Sequence, residues 1–111
     1  MTNQEINERV ANLCGWTFES RETADGYKYR VWFAPGRIEP FEGRLNYAES
    51  LDACREFISR IDEKERDEFS VIVCQLERIN PLFEYEFWWA VINVTPLELC
   101  EAFLRLKGQW E

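Results

Sequence analysis

The stretch WTFESRETADGYKYRVWF at residues 16–33 constrains this chain most, because it holds two alternating runs separated by a connector that ends in Asp25-Gly26. Asp-Gly favours a tight turn, so the spacing predicts a β-hairpin and argues against an all-helical domain. Side chains alternate between the two faces of a strand. Trp16 and Phe18 thus share one face of the first strand, and Tyr27, Tyr29, Val31 and Phe33 share one face of the second. These apolar sets are expected to form the core side. Thr17, Glu19 and Arg21, with Lys28, Arg30 and Trp32, take the other side, which begins polar.

Helical signals flank the hairpin. Thr2 and Glu5 match a capping box, Ile6, Val10, Leu13 and Cys14 follow at helical spacing, and Gly15 is the stop. After the hairpin, APGRIEPFEGRLNY at residues 34–47 carries two prolines and two glycines and reads as a long loop. SLDACREFISRI then places Leu51, Cys54, Ile58 and Ile61 on one helical stripe, with Phe57 beside it. Asp62 can cap the next segment, where Phe69, Ile72, Val73, Leu76 and Ile79 fit a helix although the Val-Ile-Val run also suits a strand. Asn80-Pro81 closes that segment.

The run EYEFWWAVINV, residues 84–94, reads as a third strand with Tyr85, Phe87, Trp89 and Val91 toward the core and Glu84, Glu86 and Trp88 away from it. A last helix begins with Thr95 as N-cap, Pro96 at N1 and Glu98 at N3. Leu99, Cys100, Phe103 and Leu104 form its buried stripe, Gly108 stops it, and Trp110 can fold back over its last turn. The expectation is one α+β domain over residues 1–111, ordered α-β-β-α-α-β-α, with a mainly antiparallel three-stranded sheet.

Apolar residues make up 46% of the chain and aromatics 15%, which suits one ordinary hydrophobic core rather than disorder. Against 13 basic residues stand 21 acidic ones, giving a formal charge of -8. That balance disfavours direct binding of nucleic acid or of an anionic membrane, and suits a basic protein partner. Cys14, Cys54, Cys74 and Cys100 form no C-x-x-C pair, and the chain has no histidine to complete a zinc site or activate a thiol. They read as reduced core thiols of a cytoplasmic protein. No apolar run is long enough for a signal peptide or a membrane span.

Three segments, INERVANLCGW, NYAESLDAC and VTPLELCEAFLRLKGQWE, together resemble the phage ABA sandwich domain family of small bacteriophage and prophage proteins. The shared pattern is a first helix ending in Gly-Trp, an aspartate- or serine-rich turn opening a central helix, and a threonine-capped last helix ending near LRxLGxWE. The likeness runs through nearly the whole chain, but residues 22–46 and the aromatic run FEYEFWW depart from it. The resemblance implies a helix/sheet/helix sandwich and a phage accessory role in the host bacterial cytoplasm, and it carries no catalytic residues.

Without histidine, a glycine-rich phosphate loop or an activated thiol, an enzyme is not expected, nor is a cofactor or metal. Two binding roles compete. A host-protein-binding effector, such as an anti-CRISPR-like or other counter-defence inhibitor, would present acids to a basic groove of a nucleic-acid-handling or defence protein. Its candidate contacts are Glu39, Glu42, Asp62, Glu63, Glu65, Asp67, Glu68, Glu84 and Glu86. A small-ligand binder, such as a sponge for a nucleotide signal, would instead use Arg30, Trp32, Arg37 and Trp88 for stacking and phosphate contacts. That platform requires Trp32 and Trp88 to be uncovered; a second helical layer over Trp32, Trp88, Ile92 and Val94 would remove it. A homodimeric structural accessory burying Trp88 or Trp110 between subunits is a further possibility.

Overall fold

A helix needs partners for the unpaired N–H groups of its first turn, and this chain supplies them with short polar side chains. The computed structural model describes residues 1–78 and 93–111, and there the chain forms an α+β arrangement of four α-helices, one 3-10 turn and a pair of antiparallel strands. Thr2 caps α1 (Asn3–Leu13) by accepting the Glu5 N–H at 3.2 Å. Ser50 does the same for α2 (Leu51–Ile58) through the Ala53 N–H. Asp62 precedes α3 (Glu63–Leu76) in extended conformation but makes no side-chain cap bond. The run Val71–Val73, which fits either period, is helical.

The last helix, α4 (Pro96–Leu106), opens with a complete reciprocal capping box: Glu98 N–H donates to Thr95 Oγ1 at 3.1 Å, and Thr95 N–H donates to Glu98 Oε1 at 3.1 Å. Gly15 and Gly108 end α1 and α4 with φ of +87° and +71°, the left-handed geometry that glycine adopts without a side-chain clash.

Among the described residues α4 lies at the centre of the packing, touching α1, α2, α3 and the 3-10 turn Tyr47–Glu49. Its Phe103 stacks on Phe57 of α2 with ring centroids 4.6 Å apart, and Tyr47 tilts against Phe57 at 6.2 Å. Ile6, Val10, Ala11 and Cys14 of α1 join the same cluster. The buried stripe of α2 runs through Cys54 and Phe57 to Ile61, while Leu51 and Ile58 are exposed. The expected stripe is therefore rotated, because the bulky Phe57 ring takes the position that faces α4. All four cysteines are free and buried. Trp110 does fold back: it packs against the core, with the Arg105 guanidinium over its ring.

Strands β1 (Thr17–Glu22) and β2 (Lys28–Phe33) pair in the register Thr17↔Phe33, Phe18↔Trp32 and Arg21↔Tyr29. This corrects the expected faces. Phe18 shares its face with Trp32 and Arg30, and that face turns toward α1: Trp32 is only 9% exposed and belongs to the core cluster. Tyr27 and Tyr29, expected inside, are 68% and 39% exposed, and only Val31 and Phe33 at the base of that face are half-buried. The turn sets this outcome. Gly26 N–H donates to Thr23 O and Thr23 N–H to Tyr27 O, which places residues of equal parity opposite each other, so the two most apolar strand faces lie on opposite sides.

Residues 84–92 of the expected third strand, including Glu84, Glu86, Trp88, Trp89 and Ile92, lie outside the described residues, as do Ile79 and the Asn80-Pro81 stop. The expected last two residues of that strand are not strand: Asn93 is helical and Val94 is in neither a helix nor a strand.

Candidate functional site

The loop at residues 34–47 contributes to two open depressions on the surface. Ala34 accepts the Arg37 N–H at 3.1 Å in a turn whose Gly36 stands at φ +73°. Phe41 N–H then donates to Trp32 O at 2.8 Å, tying the loop back to β2. The Phe41 ring meets Trp16 edge-on, with centroids 5.1 Å apart at 83°. Gly43 makes that placement possible, since a β-carbon there would come within 2.7 Å of Phe41 Cζ.

Phe41 divides two open depressions. The larger, about 950 Å³, runs between α1, β2 and residues 41–45 and includes Glu5, Glu8, Lys28, Arg30 and Arg44 in its walls. The smaller, about 520 Å³, is a mostly apolar notch formed by Trp16, Ala34, Pro40 and Phe41, with Arg37, Glu39 and Glu42 at its margin.

A polar network under the notch holds Trp16 in place. Glu56 of α2 accepts the Trp16 indole N–H at 2.8 Å and also the Tyr47 hydroxyl. Arg60 donates to the Cys14 carbonyl at 2.6 Å, close to the same carboxylate. Burial, then the nearby Glu56 charge, pushes the Cys14 thiol up to about 11, with Arg60 opposing; the thiol is thus protonated and poorly nucleophilic at neutral pH. Burial and the bond to Glu56 drive the Tyr47 hydroxyl far above its ordinary value as well. This cluster orients an indole rather than activating a nucleophile.

The candidate residues separate into distinct groups. Trp32 is core, so its ring offers no open stacking platform. Arg30 is held by Glu8 at 2.5 Å and lies over the Phe18 ring at 4.5 Å, so its charge is already engaged. Arg37 stands apart from both, beyond Phe41 on the notch. Trp88 lies outside the described residues. The four proposed ligand contacts therefore do not converge on one described surface.

Of the acids, Asp62, Glu63, Asp67 and Glu68 are exposed at the start of α3, and Glu39 and Glu42 are exposed on the notch margin. Glu65 differs: it is half-buried and chelates Lys107 Nζ at 2.9 and 3.0 Å, joining α3 to the end of α4. It acts as a structural tie. The sequence pattern assigned Trp16 only to the core side of the hairpin and gave Pro40 and Phe41 no role, although an aromatic between proline and glycine in an acid-containing loop, PFEG, is a readable signal for an exposed ring.

Among the described residues, no group of three or more acidic or cysteine side chains is arranged to hold a metal ion, and no helix is long and apolar enough to cross a membrane. The fold and surface define an acidic α+β domain with an aromatic notch. No family model, curated protein or solved structure matches the chain.

Proposed function

We propose that this chain is a non-enzymatic, protein-binding accessory protein of phage or prophage origin, acting in the host bacterial cytoplasm as a counter-defence inhibitor, for example of the anti-CRISPR kind. The observation that carries the reading is the exposed acidic start of α3, where Asp62, Glu63, Asp67 and Glu68 face solvent while the competing cationic and aromatic candidates Arg30 and Trp32 are engaged in the fold. Such a surface suits the basic groove of a nucleic-acid-handling protein, where complementary charge speeds encounter and selects the partner. The resemblance to the phage ABA sandwich family supplies the setting. With it comes the finer architecture, a helix/sheet/helix sandwich ordered α-β-β-α-α-β-α, its third strand falling between α3 and α4.

The test is capture from phage-infected host lysate, followed by affinity measurement with the isolated partner at low and high salt. Reversal of Asp62, Glu63, Asp67 and Glu68 to lysine should weaken binding at low salt by at least about tenfold, given a few tenths to 1 kcal/mol for each exposed charge pair. Unchanged affinity in both comparisons would rule out the acidic surface.

A further inference from the structure

We infer that the notch of Trp16, Pro40 and Phe41, rimmed by Glu39 and Glu42, receives a lysine or arginine side chain from the protein partner. The inference rests on the proposed protein-binding role and names the chemistry of one contact in it. Its geometry is built before any partner arrives. Glu56 fixes the Trp16 indole, the Phe41 N–H bond to Trp32 O fixes the loop, and Gly43 leaves room for the Phe41 ring to stand edge-on to Trp16. Preorganised aromatic walls limit the ordering cost of binding.

The walls are mostly apolar and too open for a small molecule to be enclosed, yet they suit the alkyl stem of a long side chain. Two aromatic rings that meet at nearly right angles line the notch, and a cation is drawn to an aromatic face. The rim completes the choice. Glu39 and Glu42 are exposed carboxylates with no ion pair among the described residues, so both can meet an incoming ammonium or guanidinium. Arg37 is the opposing charge. It leaves the rim with two acids against one base, within a chain of formal charge -8, and so sets a sign that can be measured.

The experiment titrates the isotopically labelled full chain with N-acetyl-arginine amide, N-acetyl-norleucine amide and N-acetyl-glutamate amide, following the Trp16 indole N–H and the Gly43 amide by NMR. Saturable shifts of both signals are expected with the arginine probe, and weaker ones with norleucine and glutamate. Glu39→Gln and Glu42→Gln should each weaken the arginine probe about two- to threefold, the range of an exposed charge pair, and Arg37→Gln should strengthen it by a similar factor. Phe41→Leu keeps an apolar wall but removes the ring, and should reduce the preference for arginine over norleucine without abolishing it, since Trp16, Glu39 and Glu42 remain.

Equal binding of norleucine or glutamate, loss of binding in Arg37→Gln, or no shift at Trp16 and Gly43 would each overturn the assignment. Because the titration uses no protein partner and leaves α3 untouched, its failure is distinct from failure of the acidic-surface reading. Conversely, partner affinity unchanged by salt and by reversing the α3 acids, with the probe still bound, would overturn the acidic surface and leave the notch standing on its own.

Discussion

The helices and the hairpin use aromatic residues differently: the helices carry few rings and bury Phe57 and Phe103, whereas the hairpin is rich in rings and leaves Phe18, Tyr27 and Tyr29 exposed. In the core, Phe57 stacks on Phe103 and meets a tilted Tyr47, all three buried in one cluster with cysteines and aliphatic groups. In the hairpin, residues 17–30 are exposed, and the Tyr27 and Tyr29 rings stack on each other at 6.3 Å while still facing solvent. Trp32, with the partly buried Trp16 packed beside the cluster, commits the hairpin to the core. The contrast shows where stability resides, in the α1, α2 and α4 contacts, and where surface is left available for recognition.

Removing a ring on each side of that divide should separate them cleanly. Phe57→Ala deletes a fully buried ring against Phe103 and should cost about 3–5 kcal/mol in chemical denaturation. A cost below about 1 kcal/mol would mean that α2 and α4 are not held by this stack.

Asn7 tests the seam between core and loop. Its buried amide donates to Leu45 O at 3.1 Å and accepts the Ala48 N–H at 2.7 Å, tying α1 to the segment that leads out of the notch. Asn7→Ala strands both backbone groups and should lower stability by about 1–3 kcal/mol. Amide exchange at Ala48 should accelerate more than exchange within α4; equal acceleration would show that the seam and the core open together.

The junction of α3 with α4 should respond to pH. The Glu77 carboxyl is raised to about 7, first by its hydrogen bond with Glu98, then by burial and by the Glu98 charge. Glu98 is lowered, chiefly by the same bond. Between the ordinary 4.5 and about 7, folded Glu77 keeps a proton that the unfolded chain has released. Its stabilising contribution is therefore complete below 4.5 and lost as pH rises through about 7. Glu98 works in the opposite sense, contributing above 4.5 and losing its contribution as pH falls through its lowered value. The melting temperature should fall from pH 5 to pH 8 more in the native chain than in Glu77→Gln, whose amide donates at every pH. Parallel profiles would show that the two carboxyls do not share a proton.

The smallest effect belongs to the hairpin. Tyr29→Ala should change stability by no more than about 0.5 kcal/mol, since the exposed ring is not part of the core cluster. A loss as large as that of Phe57→Ala would erase the distinction between the two regions.

Local chemistry made the helices readable. Thr2, Ser50 and Thr95 stand where first-turn N–H groups need acceptors, Gly15 and Gly108 stand where φ turns positive, and these depend on neighbours within a few residues. The hairpin faces were not readable in the same way. Parity along each strand was sound, but the join between strands depends on the bonds within the Thr23–Tyr27 turn, which the residue types leave open. Tyrosine adds to the ambiguity because it satisfies an apolar pattern and tolerates water equally well. The notch was hidden for a different reason: Trp16 and Phe41 are far apart in sequence, and only the return of the loop to Trp32 O brings their rings together.

Four thiols at no more than 1% exposure give this protein an internal clock. An alkylating reagent cannot reach any of them until packing opens, so the rate of labelling in native buffer counts opening events. Cys74 lies on α3, outside the cluster that contains Cys14, Cys54 and Cys100. If α3 detaches before the rest, mass spectrometry will find the first label on Cys74 alone; if the molecule opens as one unit, all four will be labelled at one rate.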